Sequence, residues 1–255
     1  MPIYNVQDKE TIAHLFNGWD ETLIWSCLQG YMGVAYADSL MLPLSAQICT
    51  GDFIFFAGTV NHDLILNKPA NLKTSYAILA PQNQEWEQAI EHCYKNKVTR
   101  HIRYATKKEQ GVFDEEKLQS IVTRLPVQYE LKPIDRALFR EILALQWARD
   151  LCSNYKSFEE YRSIGMGVVV QKDGNIVSGA SSYTSFNGGI EIEIDTRKDE
   201  RRKGLASACG ASLILGCLKR GWYPSWDAHN KESLALAQKL GYHFDKEYPV
   251  YEIEF

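Results

Sequence analysis

Between Gly189 and Tyr242 the hydrophobic period of the chain switches from two to nearly four, which forces a strand to run directly into a helix. Residues 189–196 read Gly-Ile-Glu-Ile-Glu-Ile-Asp-Thr, so the isoleucines share one face of a strand and Glu191, Glu193 and Asp195 share the other. A run of charged residues follows, from Arg197 to Lys203. Gly204 then opens an apolar stretch to Arg220 with the length of a buried helix. Farther on, Asn230 and Gly241 bracket a second helix over Lys231–Leu240 as its cap and its stop.

A strand, a charged loop and a glycine-led helix together make an anion site. The first N–H groups of a helix have no partner within it, and the helix dipole is positive at that end. Gly204 lets a ligand approach backbone without a Cβ in the way, and Ala206 keeps the first turn small. Arg201, Arg202 and Lys203 add positive charge. The plainer alternative is that Gly204 only starts a helix beside a solvated charge run.

The rest of the chain supplies context. Two short helices are expected near Lys9–Phe16 and Glu21–Leu28, then strands at Gly33–Ala37, Phe53–Gly58 and Ser75–Leu79. Helices near Gln84–Tyr94 and Asp114–Arg124 flank a strand near Arg100–Ala105. Asn61-His62-Asp63 reads as a turn. Pro126 disfavours helix at Leu125 and marks a domain boundary, giving domains 1–125 and 126–255. Beyond it the pattern predicts a strand at Val127–Leu131, a helix capped by Asp135 and running to Trp147, and a helix at Phe158–Ile164. A three-strand meander follows at Met166–Gln171, Ile176–Tyr183 and Ile190–Thr196, then a strand at Tyr223–Trp226 and a last one at Tyr248–Phe255.

Composition narrows the function. No apolar run reaches the length of a membrane span, and the opening Met1-Pro2-Ile3-Tyr4 lacks a leader pattern, so a cytoplasmic protein is expected. A net charge of −4 without a long basic stripe argues against a nucleic-acid partner. Cys27, Cys49, Cys93, Cys152, Cys209 and Cys217 form no C-x-x-C pair and the histidines are dispersed, so neither metal nor disulfide framework is expected.

Arg201-x-x-Gly204-x-Ala206, placed between strand and helix, resembles the pyrophosphate loop of the GCN5-related N-acetyltransferase (GNAT) superfamily, and the element order over 127–255 resembles that family's core. The resemblance implies an α+β fold. The C-terminal domain would carry a mixed, mostly antiparallel GNAT sheet with flanking helices and bind acetyl-CoA. The N-terminal mixed α/β domain would shape the acceptor site or the assembly, and its element order permits a degenerate unit of the same kind. The co-substrate implied is acetyl-CoA, with no metal, and the acceptor a primary amine of a small molecule, attacked directly. The implied cofactor set is Ile194, Asp195, Thr196, Arg201, Arg202, Lys203, Gly204, Leu205, Ala206, Ser207, Asn230 and Ser233; the arm would pair with backbone of Ile194 and Thr196. The run from Trp226 to Tyr242 resembles the zwittermicin A resistance-type branch, which includes many bacterial proteins and leaves antibiotic, metabolite and peptide amines open as acceptors. Trp226 reads as core and Asp227 as a loop hydrogen-bonder.

For the base the resemblance points to Glu193, with Glu191 as the alternative, since an alkylammonium must lose a proton before it attacks a thioester. Many members carry a tyrosine seven residues after the capping asparagine, to protonate the departing thiolate. This chain has Ala237 there. That departure leaves a second reading, a catalytically silent module that binds acyl-CoA.

Overall fold

The computed structural model describes residues 2–255. They form two compact units, one made of the chain up to Arg103 together with Glu247–Phe255, the other of Tyr104–Lys246.

In the first unit, Tyr4–Asn5, Val34–Ala37, Ser45–Thr50 and Phe53–Gly58 pair antiparallel in that order. Phe53–Gly58 then pairs parallel with Tyr76–Pro81, which pairs antiparallel with residues 251–254. A parallel pair needs a crossover, and helix His62–Leu66 lies within it. Asn61-His62-Asp63 is therefore a helix start and not a plain turn. The Asn61 side chain accepts from the N–H groups of Asp63 and Leu64 at 3.0 and 3.2 Å. Strand Ser45–Thr50 is absent from the sequence reading because its polar residues break the pattern. Gln47, fully buried, is satisfied by donating to Leu64 O and Asn67 O at 3.1 Å each.

Trp86 anchors this unit's core. Helix Gln84–Tyr94 presents it, with Ile90, to Phe56, Leu79 and Tyr251. Its ring stacks on Phe56 at 5.3 Å, and Nε1 donates to Gly58 O at 2.9 Å. Gly58 is required where it stands: φ is +83° and a Cβ would meet Leu44 O at 2.1 Å.

The second unit holds a five-stranded sheet in the order Tyr223–Ser225, Gly189–Thr196, Asn175–Phe186, Gly167–Lys172, Glu130–Pro133. Its first pair is parallel and the other three are antiparallel, as a mixed, mostly antiparallel sheet requires. Helix Leu205–Lys219 is almost wholly buried and can pack closely because it is rich in small residues. A Cβ on Gly210 would come 2.8 Å from Leu240 Cδ1, and one on Gly216 would come 2.5 Å from Met166 Cε. Helix Glu115–Thr123 packs on it and buries Leu118.

That contact corrects the division at Leu125/Pro126. Residues 104–125 go with the second unit, since Tyr223 Oη donates to Lys107 O and Lys107 N to His243 O. Strand Phe244–Glu254 passes out of this unit, and its last residues complete the first unit's sheet. Pro126 sits in a turn closed by Tyr129 N donating to its carbonyl, and the strand expected at Val127 begins at Glu130. The helix capped by Asp135 stops at Ala144, three residues short of Trp147, and a short turn Arg149–Leu151 follows that buries Leu151.

Trp86→Ala is expected to destabilise the protein by about 3–5 kcal/mol, the range for emptying a buried tryptophan site. Urea denaturation followed by circular dichroism measures it; a loss below about 1 kcal/mol contradicts this account of the core.

Candidate active site

Strands Gly189–Thr196 and Tyr223–Ser225 begin as neighbours and then part. Their pairing runs Gly189↔Tyr223, Ile190↔Pro224, Glu191↔Ser225, and ends there. Beyond Glu191 only the edge facing Asn175–Phe186 stays paired, through Thr196↔Ser178. Arg197 N donates to Val177 O, and alternation along the strand then turns the peptide groups of Ile192, Ile194 and Thr196 to the opposite edge. That edge can take an extended ligand as an added strand.

Glu191 sits where the strands part. It is 4% exposed, and its Oε1 accepts from Asp227 N at 2.6 Å. This bond holds the chain leaving Tyr223–Ser225 as it turns away to pair, through Asp227–Ala228, with Ala105 and Tyr104. Glu191 therefore has a structural task. The register shift lies between Glu191 and Ile192, with Tyr183 as the extra residue on the neighbouring strand. Glu193 and Asp195 thus keep the face of Glu191, opposite Ser181 and Gly179. Glu193 is half-buried. Burial pushes the Asp195 carboxyl up to about 6, the Asp150 carboxylate adds to the rise, and Arg201 opposes it.

The loop after the strand ends at an open helix terminus. Gly204 has φ +83°, and no side chain caps helix Leu205–Lys219. Helices Thr22–Leu28, His62–Leu66, Gln84–Tyr94, Glu115–Thr123, Arg136–Ala144, Phe158–Ile164 and Lys231–Leu240 all have a side-chain cap. The first amides of Leu205–Lys219 are left to an outside acceptor. A Cβ at Gly204 would find nothing within 4 Å, so its requirement here is the left-handed backbone, with open space alongside. Arg202 shares that conformation with φ +63°.

The basic residues are not equivalent. Arg201 Nε donates to Thr196 O at 3.2 Å, tying loop to strand end. Lys203 Nζ turns back to Glu200 Oε2 at 2.8 Å. Glu200, missed from sequence because it lies inside a charge run, is 3% exposed. It also accepts from Tyr129 Oη at 2.6 Å and Lys172 Nζ at 3.0 Å. The bonds from Lys203, Tyr129 and Lys172 hold the Glu200 carboxyl down at about 2. Lys239, also missed, donates to Ser207 Oγ at 3.0 Å, which places a cation at the positive end of a helix. The charge of Lys239 suits an anion there.

Asn230 caps its helix by accepting from Ser233 N at 2.8 Å, and Ser233 Oγ accepts from Trp226 Nε1 at 3.1 Å. They lie about 13 Å and about 9 Å along the helix from Lys239, the residue that reaches the cofactor helix. Leu205, Ala206 and Ser207 form the first helical turn, while Ile194, Asp195 and Thr196 form the strand end joined to it by Arg201. Ala237 is fully buried, and Tyr242 Oη is committed to Pro224 O at 2.6 Å. Trp226 packs on Tyr242 in the core, at 5.5 Å between rings.

The sequence profile of the family described as GNAT acetyltransferase matches residues 13–251. The chain belongs to that family. The match takes in both units, whereas the sequence resemblance rested on residues 127–255. A GCN5-related N-acetyltransferase-like protein from Streptococcus suis, known from a crystal structure, is 47% identical with a TM-score of 0.92, over 97% of this chain and 98% of that one. The uncharacterized N-acetyltransferase YdfB of Bacillus subtilis is 28% identical over 240 residues, 90% of this chain and 89% of that protein. A tandem GNAT protein from the clavulanic acid biosynthesis pathway shares the fold over 99% of this chain and 98% of that one, with a TM-score of 0.55 at 12% identity.

This GNAT chain is thus an N-acetyltransferase, of a family that uses acetyl-CoA as co-substrate. Its residues fit that group: an uncapped helix terminus suits a diphosphate and a free strand edge suits an amide-bearing arm. Among the described residues no cluster of three or more His, Cys, Asp or Glu could hold a metal ion, and no helix is long and apolar enough to cross a membrane.

Glu200 links this site to acid stability. Its folded pKa lies below the ordinary value of 4.5, so the unfolded chain takes up the proton first as pH falls. Its stabilisation is full above about 4.5 and is lost toward about 2. Glu200→Gln should lower Tm at pH 7, with the gap to the parent narrowing as pH falls through that window. Calorimetry at several pH values tests this; a gap independent of pH contradicts it.

Proposed function

We propose that this GNAT transfers an acetyl group from acetyl-CoA to a primary amine of a small molecule by direct attack. The observation that carries the reading is the uncapped terminus at Gly204, set beside a strand edge that opens beyond Glu191. The amides of Gly204, Leu205 and Ala206, with Arg202 and Lys239, would hold the diphosphate. The outward backbone of Ile194 and the amide of Thr196 would hold the arm, because Arg201 already occupies the Thr196 carbonyl. Acetyl-CoA supplies an activated thioester. The protein's share is to hold amine and acyl carbon together and to take up the ammonium proton.

Glu193 is the proposed base. The bond from Asp227 N commits Glu191 to the strand junction, which favours Glu193 on the same face. The first unit serves the acceptor or the assembly. Its helix Gln84–Tyr94 follows strand Tyr76–Pro81, as the cofactor helix follows its strand, but Asn83 caps it by accepting from Trp86 N. Whole-chain likeness to a tandem GNAT protein supports reading this unit as a degenerate copy. The run from Trp226 to Tyr242 supports placing the chain in the zwittermicin A resistance-type branch, so antibiotic amines belong in any acceptor screen.

Acetyl-CoA and CoA should raise the melting temperature by mass action. Gly204→Glu should remove the effect, because it strains a left-handed residue and sets a carboxylate where the diphosphate binds. An undiminished CoA-induced shift in that variant would place the cofactor elsewhere.

Glu193→Gln should lower kcat by about 10²–10⁴-fold at neutral pH, with CoA affinity nearly unchanged and partial rescue at higher pH. Thiol release measured with an amine found by screening reads this. Parental rates across the pH range would exclude Glu193, and the same series on Glu191 and Asp195 finds the group responsible.

A further inference from the structure

We infer that Glu200 is a positioning residue for the cofactor loop, fixing the backbone that receives the diphosphate while holding the Lys203 ammonium away from it. The inference rests on the acetyl-CoA reading above. Glu200 ends the short turn Lys198–Glu200, between the strand Gly189–Thr196 and Gly204. It is buried although the residues that follow it, Arg201 to Gly204, are exposed. A carboxylate withdrawn from water must be paired, and this one takes donors from separate parts of the chain. Tyr129 Oη at 2.6 Å comes from just before strand Glu130–Pro133, and Lys172 Nζ at 3.0 Å from the end of strand Gly167–Lys172. Lys203 Nζ at 2.8 Å comes from the loop itself, and Arg197 Nη2 lies at 3.9 Å.

The loop needs such an anchor. Arg202 is a non-glycine residue at φ +63°, two residues before Gly204 at φ +83°. A side chain disfavours that backbone, which persists only where the surroundings determine it. Helix Leu205–Lys219 fixes the loop from one end, and Glu200, tied to two strands of the sheet, fixes it from the other. The lysine that adjoins the glycine is then not the phosphate ligand its place in the sequence suggests. Its charge is spent on Glu200, so backbone amides meet the diphosphate.

The test compares CoA with pantetheine, which lacks both the diphosphate and the nucleotide. Calorimetric Kd values for each probe are measured on the full chain. Their ratio isolates what the phosphate-bearing half contributes, and a general loss of stability weakens both probes together. In Glu200→Gln the preference for CoA over pantetheine should fall on the order of tenfold, the scale of one charged hydrogen bond. Tyr129→Phe, which keeps every charge, should lower it in the same direction. If Glu200 merely screens the loop's cations, its removal frees two ammonium groups and CoA binds more tightly at low salt. That result overturns the inference, as does a ratio within twofold of the parent in both variants. Should Glu200→Gln not fold, Tyr129→Phe decides alone. A parental protein with no preference for CoA over pantetheine refutes the acetyl-CoA reading itself, which separates the two failures.

Discussion

The second unit depends on where two parallel strands stop being neighbours. A strand edge is costly to leave unpaired, and proteins cover it or use it. Here the carboxylate of Glu191 gives the departing chain at Asp227 a hydrogen-bond acceptor where its pairing with Gly189–Thr196 ends. The same bond sends Asp227–Ala228 to pair with Tyr104 and Ala105, and Thr106 Oγ1 secures Trp226 O at 2.7 Å. The strand edge left without a strand partner from Ile192 to Thr196 follows from that divergence.

Electrostatics in the loop follow from burial more than from the count of charges. Between Arg197 and Lys203 the sequence suggests one diffuse positive patch. Folding instead pairs Arg197 with Asp199, at 2.7 Å, and turns Lys203 and Lys172 onto Glu200. Arg201 binds the strand end. Among the described residues the Arg202 side chain makes no hydrogen bond or ion pair, while Lys239 arrives from a different helix to stand beside the first turn. An anion at this terminus would therefore be met chiefly by amides and a helix dipole, an arrangement that needs accurate backbone more than net charge.

The carboxylate face shows how equal residues acquire unequal chemistry. Glu191, Glu193 and Asp195 alternate identically along one strand. Depth and neighbours then separate them: Glu191 serves the strand junction, Asp195 is raised by burial and by Asp150, and Glu193 stands between, half-buried opposite Ser181.

Periodicity by itself determined the strand Gly189–Thr196, the buried helix after Gly204, and helices such as Phe158–Ile164, Gln84–Tyr94 and Lys231–Leu240, because local spacing alone sets which face each buries. The loop motif was legible for the same reason: its strand, glycine and helix are adjacent in sequence. Only the tertiary structure decided what long-range pairing controls. It moved the division between units away from Pro126, since the packing of Leu118 and the pairing of the last strand involve residues far away in sequence. It exposed Ser45–Thr50 as a strand whose Gln47 is satisfied by the end of helix His62–Leu66. It also set Glu191 apart from Glu193, and revealed Glu200 and Lys239, because a hydrogen bond to Asp227, Tyr129, Lys172 or Ser207 has no signature in local sequence.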